Sequence, residues 1–206
     1  MSEHEDTAWF ERLYAAAEAG DAEVPWDRGG PNPFLEAWVR ERALEGAGRR
    51  ALVIGTALGD DAELLAARGY VVTAFDVAPT AIEAARRRFP DSGVDYRVAD
   101  LLDLPAEWLS AFDLVAECIT VQALPVSLRG RAIDAIASTV APGGTLIVVS
   151  GIHAGDGPRP GPPWELTREE LDRFERTLRP VEVGVARIGD AARWRAEYTR
   201  TPPSVD

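Results

Sequence analysis

From residue 51 onward, short apolar runs alternate with amphipathic stretches, and this alternation constrains the fold more than any other feature of the chain. Ala51–Gly55 and Val71–Phe75 are typical of buried strands, while Asp61–Arg68 and Pro79–Phe89 carry their apolar residues at helical spacing. Strands that alternate with helices form a mainly parallel sheet with helices on both faces. We therefore predict a doubly wound α/β sheet.

The chain after residue 90 completes this sheet. Its predicted elements are strands at Val94–Val98, Phe112–Glu117 and Thr145–Val149, a helix from Arg129 to Val140 that ends at Pro142-Gly143-Gly144, and a helix opened by a capping box at Thr167–Glu170. Alternating apolar residues at 181–185 and 194–198 flank Gly189-Asp190, which predicts a hairpin. The sheet should therefore have seven strands, mostly parallel, with an antiparallel hairpin at its C-terminal end.

The N-terminal part of the chain is predicted to be a helical lid. We expect one domain, in which residues 1–48 form this lid over an α/β core at 49–206. Apolar residues between 9 and 17 share one helical face, and a second helix follows Asn32-Pro33, a favourable cap and first position. The turn-rich segment Pro25–Pro33 connects the two helices.

Composition excludes several functional classes. All 22 basic residues are arginine, which rules out a lysine Schiff base or a phosphate-binding lysine, and the net charge of −12 argues against nucleic-acid binding. One cysteine, Cys118, and two histidines, His4 and His153, argue against a disulfide framework or a metal site. No apolar run reaches the ~20 residues of a membrane span and the N-terminus is acidic, so we expect a cytoplasmic protein without a membrane partner.

The turn after the first predicted strand has features of a cofactor site. Gly55 and Gly59 flank this turn, and glycines let a ligand approach the backbone closely. The dinucleotide fingerprint is incomplete, because Ala57 stands at its middle glycine position. Asp60 and Asp61 begin the next helix, where a pyrophosphate would need a bare N-terminus. The pattern favours a cofactor without phosphates, although a tight turn with an aspartate cap explains the turn equally well when taken alone.

Carboxylates close the next two predicted strands. Asp76 ends the second strand and can accept hydrogen bonds from both hydroxyls of a ribose. Asp100 ends the third strand, where it can accept a hydrogen bond from an adenine amino group. A helix-capping role for Asp76 explains less of the pattern. A glycine turn and two carboxylates at three successive strand ends together predict an adenosine-type cofactor.

The order of these elements over residues 49–200 resembles the class I S-adenosylmethionine-dependent methyltransferases. Their Rossmann-like fold has the same Pro-Gly-Gly before strand five and the same antiparallel last pair of strands. More narrowly, Pro25–Pro33 resembles the Pro-Trp-Asp-x-Gly-x-x-x-Pro segment of the thiopurine, thiol and halide methyltransferase family. Gly161–Trp164 resembles the Gly-Pro-Pro-aromatic loop of that family.

The resemblance implies S-adenosylmethionine as the cofactor and assigns residues to it. Those that would contact the cofactor are Trp26, Gly55, Gly59, Asp76, Val77, Asp100, Leu101 and Glu117, the last beside the methionine moiety. The residues that would form the acceptor pocket are Trp9, Arg28, Cys118 and Trp164. The chain departs from the family pattern at Thr56-Ala57, which replaces Cys-Gly, at Cys118, near an expected aromatic, and at Trp164, where tyrosine is frequent.

Three functional hypotheses follow. The first is a methyltransferase that acts on a small thiol, halide or similar soft nucleophile by in-line displacement, which requires alignment more than a base. The second is a small-molecule O- or N-methyltransferase of secondary metabolism, with His153 or Glu117 as the base. The third is a non-catalytic S-adenosylmethionine-binding partner subunit.

Simpler structural roles compete for several of these residues. Trp9 could equally pack in the core, His153 could be a solvated loop residue, and Cys118 could be a small buried hydrophobic residue. Arg28 could bind an anionic substrate or pair with a nearby carboxylate. We expect no metal at this site.

Overall fold

The computed structural model describes residues 3–153, 155, 157 and 161–202, and its centre is a seven-stranded sheet. The strands are β1 (Arg50–Ile54), β2 (Val71–Asp76), β3 (Asp95–Val98), β4 (Phe112–Cys118), β5 (Val140–Ser150), β6 (Arg179–Ile188) and β7 (Ala191–Thr199). Their order across the sheet is β3-β2-β1-β4-β5-β7-β6. The first five strands run parallel, whereas β7 is antiparallel to both β5 and β6. The predicted doubly wound sheet with a C-terminal antiparallel hairpin is confirmed.

Helices cover both faces of this sheet. They are α1 (Glu3–Glu18), α2 (Pro33–Glu41), α3 (Asp60–Ala66), α4 (Pro79–Arg88), α5 (Val126–Thr139) and α6 (Arg168–Asp172). One face is packed by α2, α3 and α4 through buried residues such as Trp38, Leu65 and Ile82. The other face is packed by α5 and α6 through Ile133 and Leu171. The inner strands β1, β2 and β4 are therefore mostly buried, whereas the edge strands β3 and β6 are largely exposed.

The sequence prediction for the start of β5 was wrong. Pro142-Gly143-Gly144 lies inside this strand, which begins at Val140 and not at Thr145. The pairing with β4 shifts register here, and the Gly143 N–H donates to the Arg200 carbonyl while the Arg200 N–H donates to Gly144. The Pro-Gly-Gly sequence indicates a local irregularity of the strand, but hydrogen bonds with Arg200, far away in the sequence, keep these residues in the sheet.

The two N-terminal helices have different roles. Asn32 caps α2 by accepting a hydrogen bond from the Phe34 N–H, and five residues of this helix are buried, so α2 belongs to the core. In contrast, α1 lies against α4, where Glu11 accepts hydrogen bonds from the Thr80 N–H and hydroxyl. Only α1 and the segment after it therefore have the position expected of a lid.

Within the described part of the chain, no helix combines the length and the apolar character that a membrane crossing requires.

Candidate active site

A cavity of about 350 Å³ opens at the carboxyl ends of the parallel strands. Its wall combines α1, the 25–32 segment, the turns after β1, β2, β3 and β4, and Pro162 and Pro163. Ligands of open α/β sheets bind at this edge, where the strand order reverses, and the volume is in the range of small-molecule sites. The order β2-β1-β4 places the reversal between β1 and β4.

The turn after β1 forms the floor of the cavity. Gly55 has φ +59°, and a Cβ atom there would lie 2.5 Å from the Thr120 hydroxyl oxygen, so this glycine also permits packing against the loop after β4. Ala57 has φ +50°, a conformation that L residues rarely adopt. Thr56 lines the cavity, and its buried hydroxyl has no hydrogen-bond partner among the described residues.

Gly59 has a different environment from Gly55. It does not line the cavity, and its φ of +95° allows the backbone to enter α3. A Cβ atom at this position would lie 2.5 Å from the Tyr96 hydroxyl oxygen. These contacts account for Gly59 through packing of α3 against β3.

Asp76 is the buried carboxylate at the end of β2. Only 6% of its surface is exposed, at the cavity wall. Its Oδ2 accepts a hydrogen bond from the Ala57 N–H (3.1 Å), and its Oδ1 accepts one from the Ala78 N–H (3.0 Å). Burial raises the pKa of Asp76 to about 6, although these backbone hydrogen bonds oppose the shift. Such a carboxylate is suited to accept hydrogen bonds from ligand hydroxyls.

The end of β3 contributes a second carboxylate to the same cavity. Asp100 lines it together with Leu101 and Val77, and its Oδ1 accepts a hydrogen bond from the Leu102 N–H (2.8 Å). Leu101 is buried beside Phe75, which also lines the cavity. A flat heterocycle with an amino group fits this combination of apolar surface and carboxylate.

Aromatic side chains of the lid cover the cavity. The Trp26 indole N–H donates to the Tyr14 hydroxyl (2.8 Å), and the Trp9 and Trp26 rings meet edge to face at 6.2 Å. Phe10 stacks on Trp9 at 4.0 Å. Burial and the nearby Asp76 raise the pKa of Tyr14. Sequence analysis identified the two tryptophans, whereas Tyr14 was assigned only to the apolar face of its helix.

A polar cluster closes the end of the cavity near α3. Asp61 accepts hydrogen bonds from the Asn32 N–H (2.6 Å) and from the Cys118 thiol. Burial raises the pKa of Asp61, and the charge of Arg28 opposes that rise. Burial and Asp61 also raise the pKa of Cys118. Arg28, Asp61 and Cys118 all line the cavity, but sequence analysis did not recognise Asp61 as more than a helix-terminal residue.

Glu117 lies beneath the cavity and does not line it. Its side chain is fully buried, Oε1 accepts a hydrogen bond from the Val121 N–H (2.9 Å), and Oε2 has no partner within the described part of the chain. Burial raises the pKa of Glu117 to about 7. Because side chains alternate along β4, the next residue, Cys118, faces the cavity instead.

His153 and Trp164 are also absent from the cavity wall as the described residues form it. The His153 N–H donates to the Leu166 carbonyl (2.9 Å) and the Trp164 N–H to the Gln122 carbonyl (2.7 Å). The first bond holds the 161–167 segment beside the chain that follows β5, and the second holds it beside the loop after β4.

Sequence analysis missed the residue that connects these two loops. Arg129 is only 1% exposed, and its guanidinium donates to the carbonyls of Leu124 (3.1 Å), Gln122 (3.2 Å) and Trp164. It also forms an ion pair with Glu170 at 2.8 Å. Arg129 therefore fixes the wall that includes Pro162 and Pro163, although its helical position predicts only a solvent-facing charge.

The described residues contain no group of three or more histidine, cysteine, aspartate or glutamate side chains arranged to hold a metal ion.

Comparison with known proteins shows what this part of the chain is similar to. Residues 51–144 match the family model described as "Methyltransferase domain". The ubiquinone biosynthesis O-methyltransferase of Xanthomonas axonopodis pv. citri is 38% identical over 132 residues, which are 60% of this chain and 54% of that protein. Part of the chain is therefore similar to S-adenosylmethionine-dependent methyltransferase domains. It spans about half the length of the curated relatives it matches.

Solved structures confirm the methyltransferase fold over nearly the whole chain. The N-methyltransferase NodS from Bradyrhizobium japonicum, in complex with S-adenosylhomocysteine, has a TM-score of 0.68 at 22% identity and covers 97% of this chain and 99% of its own. A structure from work on conversion of a disulfide bond into a thioacetal group in echinomycin biosynthesis has a TM-score of 0.75 at 24% identity, with 95% and 94% covered.

The residues that line the cavity fit the nucleoside part of S-adenosylmethionine. The buried Asp76 carboxylate, the unpaired Thr56 hydroxyl and the carboxylate of Asp100 supply polar groups for it. The apolar and aromatic wall supplies surface for a base and for a sulfonium.

Proposed function

We propose that this chain transfers the methyl group of S-adenosylmethionine to a small molecule, with a hydroxyl oxygen as the first candidate acceptor. The observation that carries the proposal is the buried Asp76 carboxylate, which faces the cavity at the switch point of a methyltransferase-like fold. The name and 38% identity of the Xanthomonas relative support oxygen as the acceptor atom.

The cofactor would be held by residues from three strand ends. Asp76 would accept hydrogen bonds from the ribose hydroxyls, and Asp100 with Leu101 would bind the adenine. When bound, the cofactor supplies a methyl group already activated on a sulfonium sulfur. Trp9 and Trp26 would exclude water above it, and their rings favour a cation. Alignment of the two reactants in such a site can lower a barrier by ~7–11 kcal/mol.

A hydroxyl acceptor also has to lose a proton. Asp61 is a carboxylate of the cavity wall whose pKa is raised by burial, so it would accept this proton better than an exposed aspartate. This assignment replaces Glu117 and His153 as first candidates for the base, because neither is among the described residues that line the cavity.

A soft nucleophile is the second candidate acceptor. A thiolate or halide needs no base, and no histidine is among the described residues of the cavity wall. The resemblance of Pro25–Pro33 and Gly161–Trp164 to the thiopurine, thiol and halide methyltransferases supports this alternative.

The test is S-adenosylhomocysteine release from purified protein with matched acceptors: catechol, a phenolic acid, an aromatic amine, thiophenol, hydrosulfide and iodide. Turnover of oxygen acceptors that is lost in Asp61→Asn would support the first candidate. Turnover confined to thiols and iodide, unchanged in Asp61→Asn, would support the second. Tight S-adenosylhomocysteine binding without turnover of any acceptor would favour a non-catalytic binding subunit and overturn both.

A further inference from the structure

The second guanidinium of the cavity wall belongs to Arg193, a residue without a role in the site described above. Arg193 lies near the start of β7, on the antiparallel side of the sheet, whereas the turns assigned to the cofactor follow β1, β2 and β3. It is partly buried and lines the cavity, as does the exposed Arg28. Arg28 lies close enough to Asp61 for its charge to lower the pKa of that carboxyl.

The contacts of Arg193 with the described residues give its charge no counterion. Its Nη1 donates to the Ala192 carbonyl at 2.8 Å, and its Cζ lies 6.0 Å from the centre of the Phe34 ring. Among the described residues, no carboxylate forms an ion pair with it.

Neighbouring arginines on the same side of the sheet are paired. Arg195 forms an ion pair with Glu41 at 2.8 Å. Arg42 contacts both Glu182 (2.9 Å) and Glu197 (2.7 Å). Of the two arginines of β7, the one that lines the cavity is therefore the one without an ion pair among the described residues.

We propose that Arg193 binds a carboxylate group of a ligand in this cavity. A guanidinium presents a planar pair of N–H donors that matches a carboxylate, and partial burial strengthens such a pair. Apart from Arg28, whose charge acts on Asp61, the charged side chains of the rest of the wall are the five aspartates 27, 60, 61, 76 and 100, which disfavour an anion. An acidic ligand group therefore requires a local cation, and Arg193 supplies it next to the aromatic face of Phe34.

This inference rests on the proposed function, which gives two sources for the carboxylate. One is the amino-acid part of the cofactor. The other is an acidic methyl acceptor. Both would use the same bidentate contact with Arg193, and they are distinguished by removing the carboxylate from one ligand at a time.

The first arm of the test is calorimetric binding of S-adenosylhomocysteine and of 5′-methylthioadenosine, which lacks the amino-acid part. Arg193→Gln is compared with Arg195→Gln, a matched control on the same strand and face whose side chain does not line the cavity. If Arg193 binds the cofactor carboxylate, Arg193→Gln weakens S-adenosylhomocysteine binding roughly 10- to 100-fold and leaves methylthioadenosine binding unchanged. Arg193→Lys, which keeps the charge but not the planar pair of donors, should lose less.

The second arm compares 3,4-dihydroxybenzoate with catechol and thiosalicylate with thiophenol. If Arg193 binds an acceptor carboxylate, Arg193→Gln raises KM for the acidic member of a pair at least tenfold, leaves KM for the neutral member unchanged and leaves both cofactor affinities unchanged. The inference fails if Arg193→Gln changes KM equally for both members of every pair and also leaves the binding of both nucleosides unchanged or equally weakened. That result would not affect the proposed function. A wild-type chain that binds neither nucleoside would overturn the proposed function and this inference with it.

Discussion

The two sides of the cavity are built in different ways. On the side assigned to the cofactor, Asp76 accepts hydrogen bonds from the backbone N–H groups of Ala57 and Ala78. One carboxylate and the turns after β1 and β2 therefore form this side of the cavity. On the opposite side, Arg129 bonds to carbonyls of the loop after β4 and of the 161–167 segment, up to 35 residues away. One side is assembled from local turns, and the other depends on a single buried cation.

This difference predicts which property is lost when a residue on each side is substituted. Removing a carboxylate from the cofactor side leaves the turns in place, and the loss should appear mainly as binding affinity. Removing Arg129 breaks its hydrogen bonds to three carbonyls and its ion pair with Glu170, so we expect lower stability and a less ordered acceptor side of the cavity.

The largest expected effect is that of Arg129→Met on folding. Breaking a buried ion pair from one side costs about 3–5 kcal/mol in the free energy of unfolding, which urea denaturation would measure. Arg168→Met removes an exposed pair with Asp172 and should cost less than about 0.5 kcal/mol. Equal losses in the two variants would contradict a special role for Arg129. If Arg129→Met does not fold, Arg129→Lys should fold and raise the acceptor KM more than the cofactor Kd.

The next effect concerns Glu117, which lies beneath the boundary between the two sides. Its folded pKa of about 7 exceeds the ordinary value of 4.5, so the folded state retains a proton that the unfolded chain releases. The free energy of unfolding therefore falls as pH rises through this window. Relative to the wild type, Glu117→Gln should gain about 2–3 kcal/mol between pH 5 and pH 8. Urea denaturation at the two pH values measures this difference. If the free energy of unfolding changes with pH equally in the two proteins, the raised pKa of Glu117 is contradicted.

On the cofactor side, pH should affect ligand binding, and here it is falling pH that has the unfavourable effect. Asp76 with a pKa of about 6 accepts hydrogen bonds from the ribose best when ionised, so acid should weaken S-adenosylhomocysteine binding. Between pH 7.5 and pH 5 the Kd measured by calorimetry should rise about tenfold. Asp76→Asn should bind weakly at both values. A wild-type Kd that does not change over this range would disprove the protonation of Asp76 as the cause.

The smallest expected effect is at the lid. Trp26→Phe retains an aromatic ring but removes the hydrogen bond to Tyr14, which should cost ~0.5–1.5 kcal/mol of stability. A double-mutant cycle with Tyr14→Phe measures the coupling, and additive losses would show that the hydrogen bond contributes nothing.

The same contrast explains what could be predicted from the sequence. Asp76 and Asp100 lie at the ends of parallel strands that meet at one edge of the sheet, so their positions in the cavity follow from local pattern. Glu117 lies one residue before the end of β4, but the alternation of side chains turns it away from the cavity, and the register of that alternation depends on packing. Arg129 and Arg193 act through segments far away in the sequence, whose proximity no local spacing encodes.

The most direct test of the central claim is calorimetric titration of S-adenosylhomocysteine into wild-type protein, Asp76→Asn and Asp95→Asn at pH 7.5. Asp95 is a strand carboxylate that pairs with Arg97 on the exposed surface, so its variant controls for lost charge. We predict one binding site in the wild type, an unchanged Kd in Asp95→Asn, and a Kd raised roughly 5- to 150-fold in Asp76→Asn, equivalent to ~1–3 kcal/mol. Equal affinity of Asp76→Asn and the wild type would contradict the assignment of this cavity to the cofactor.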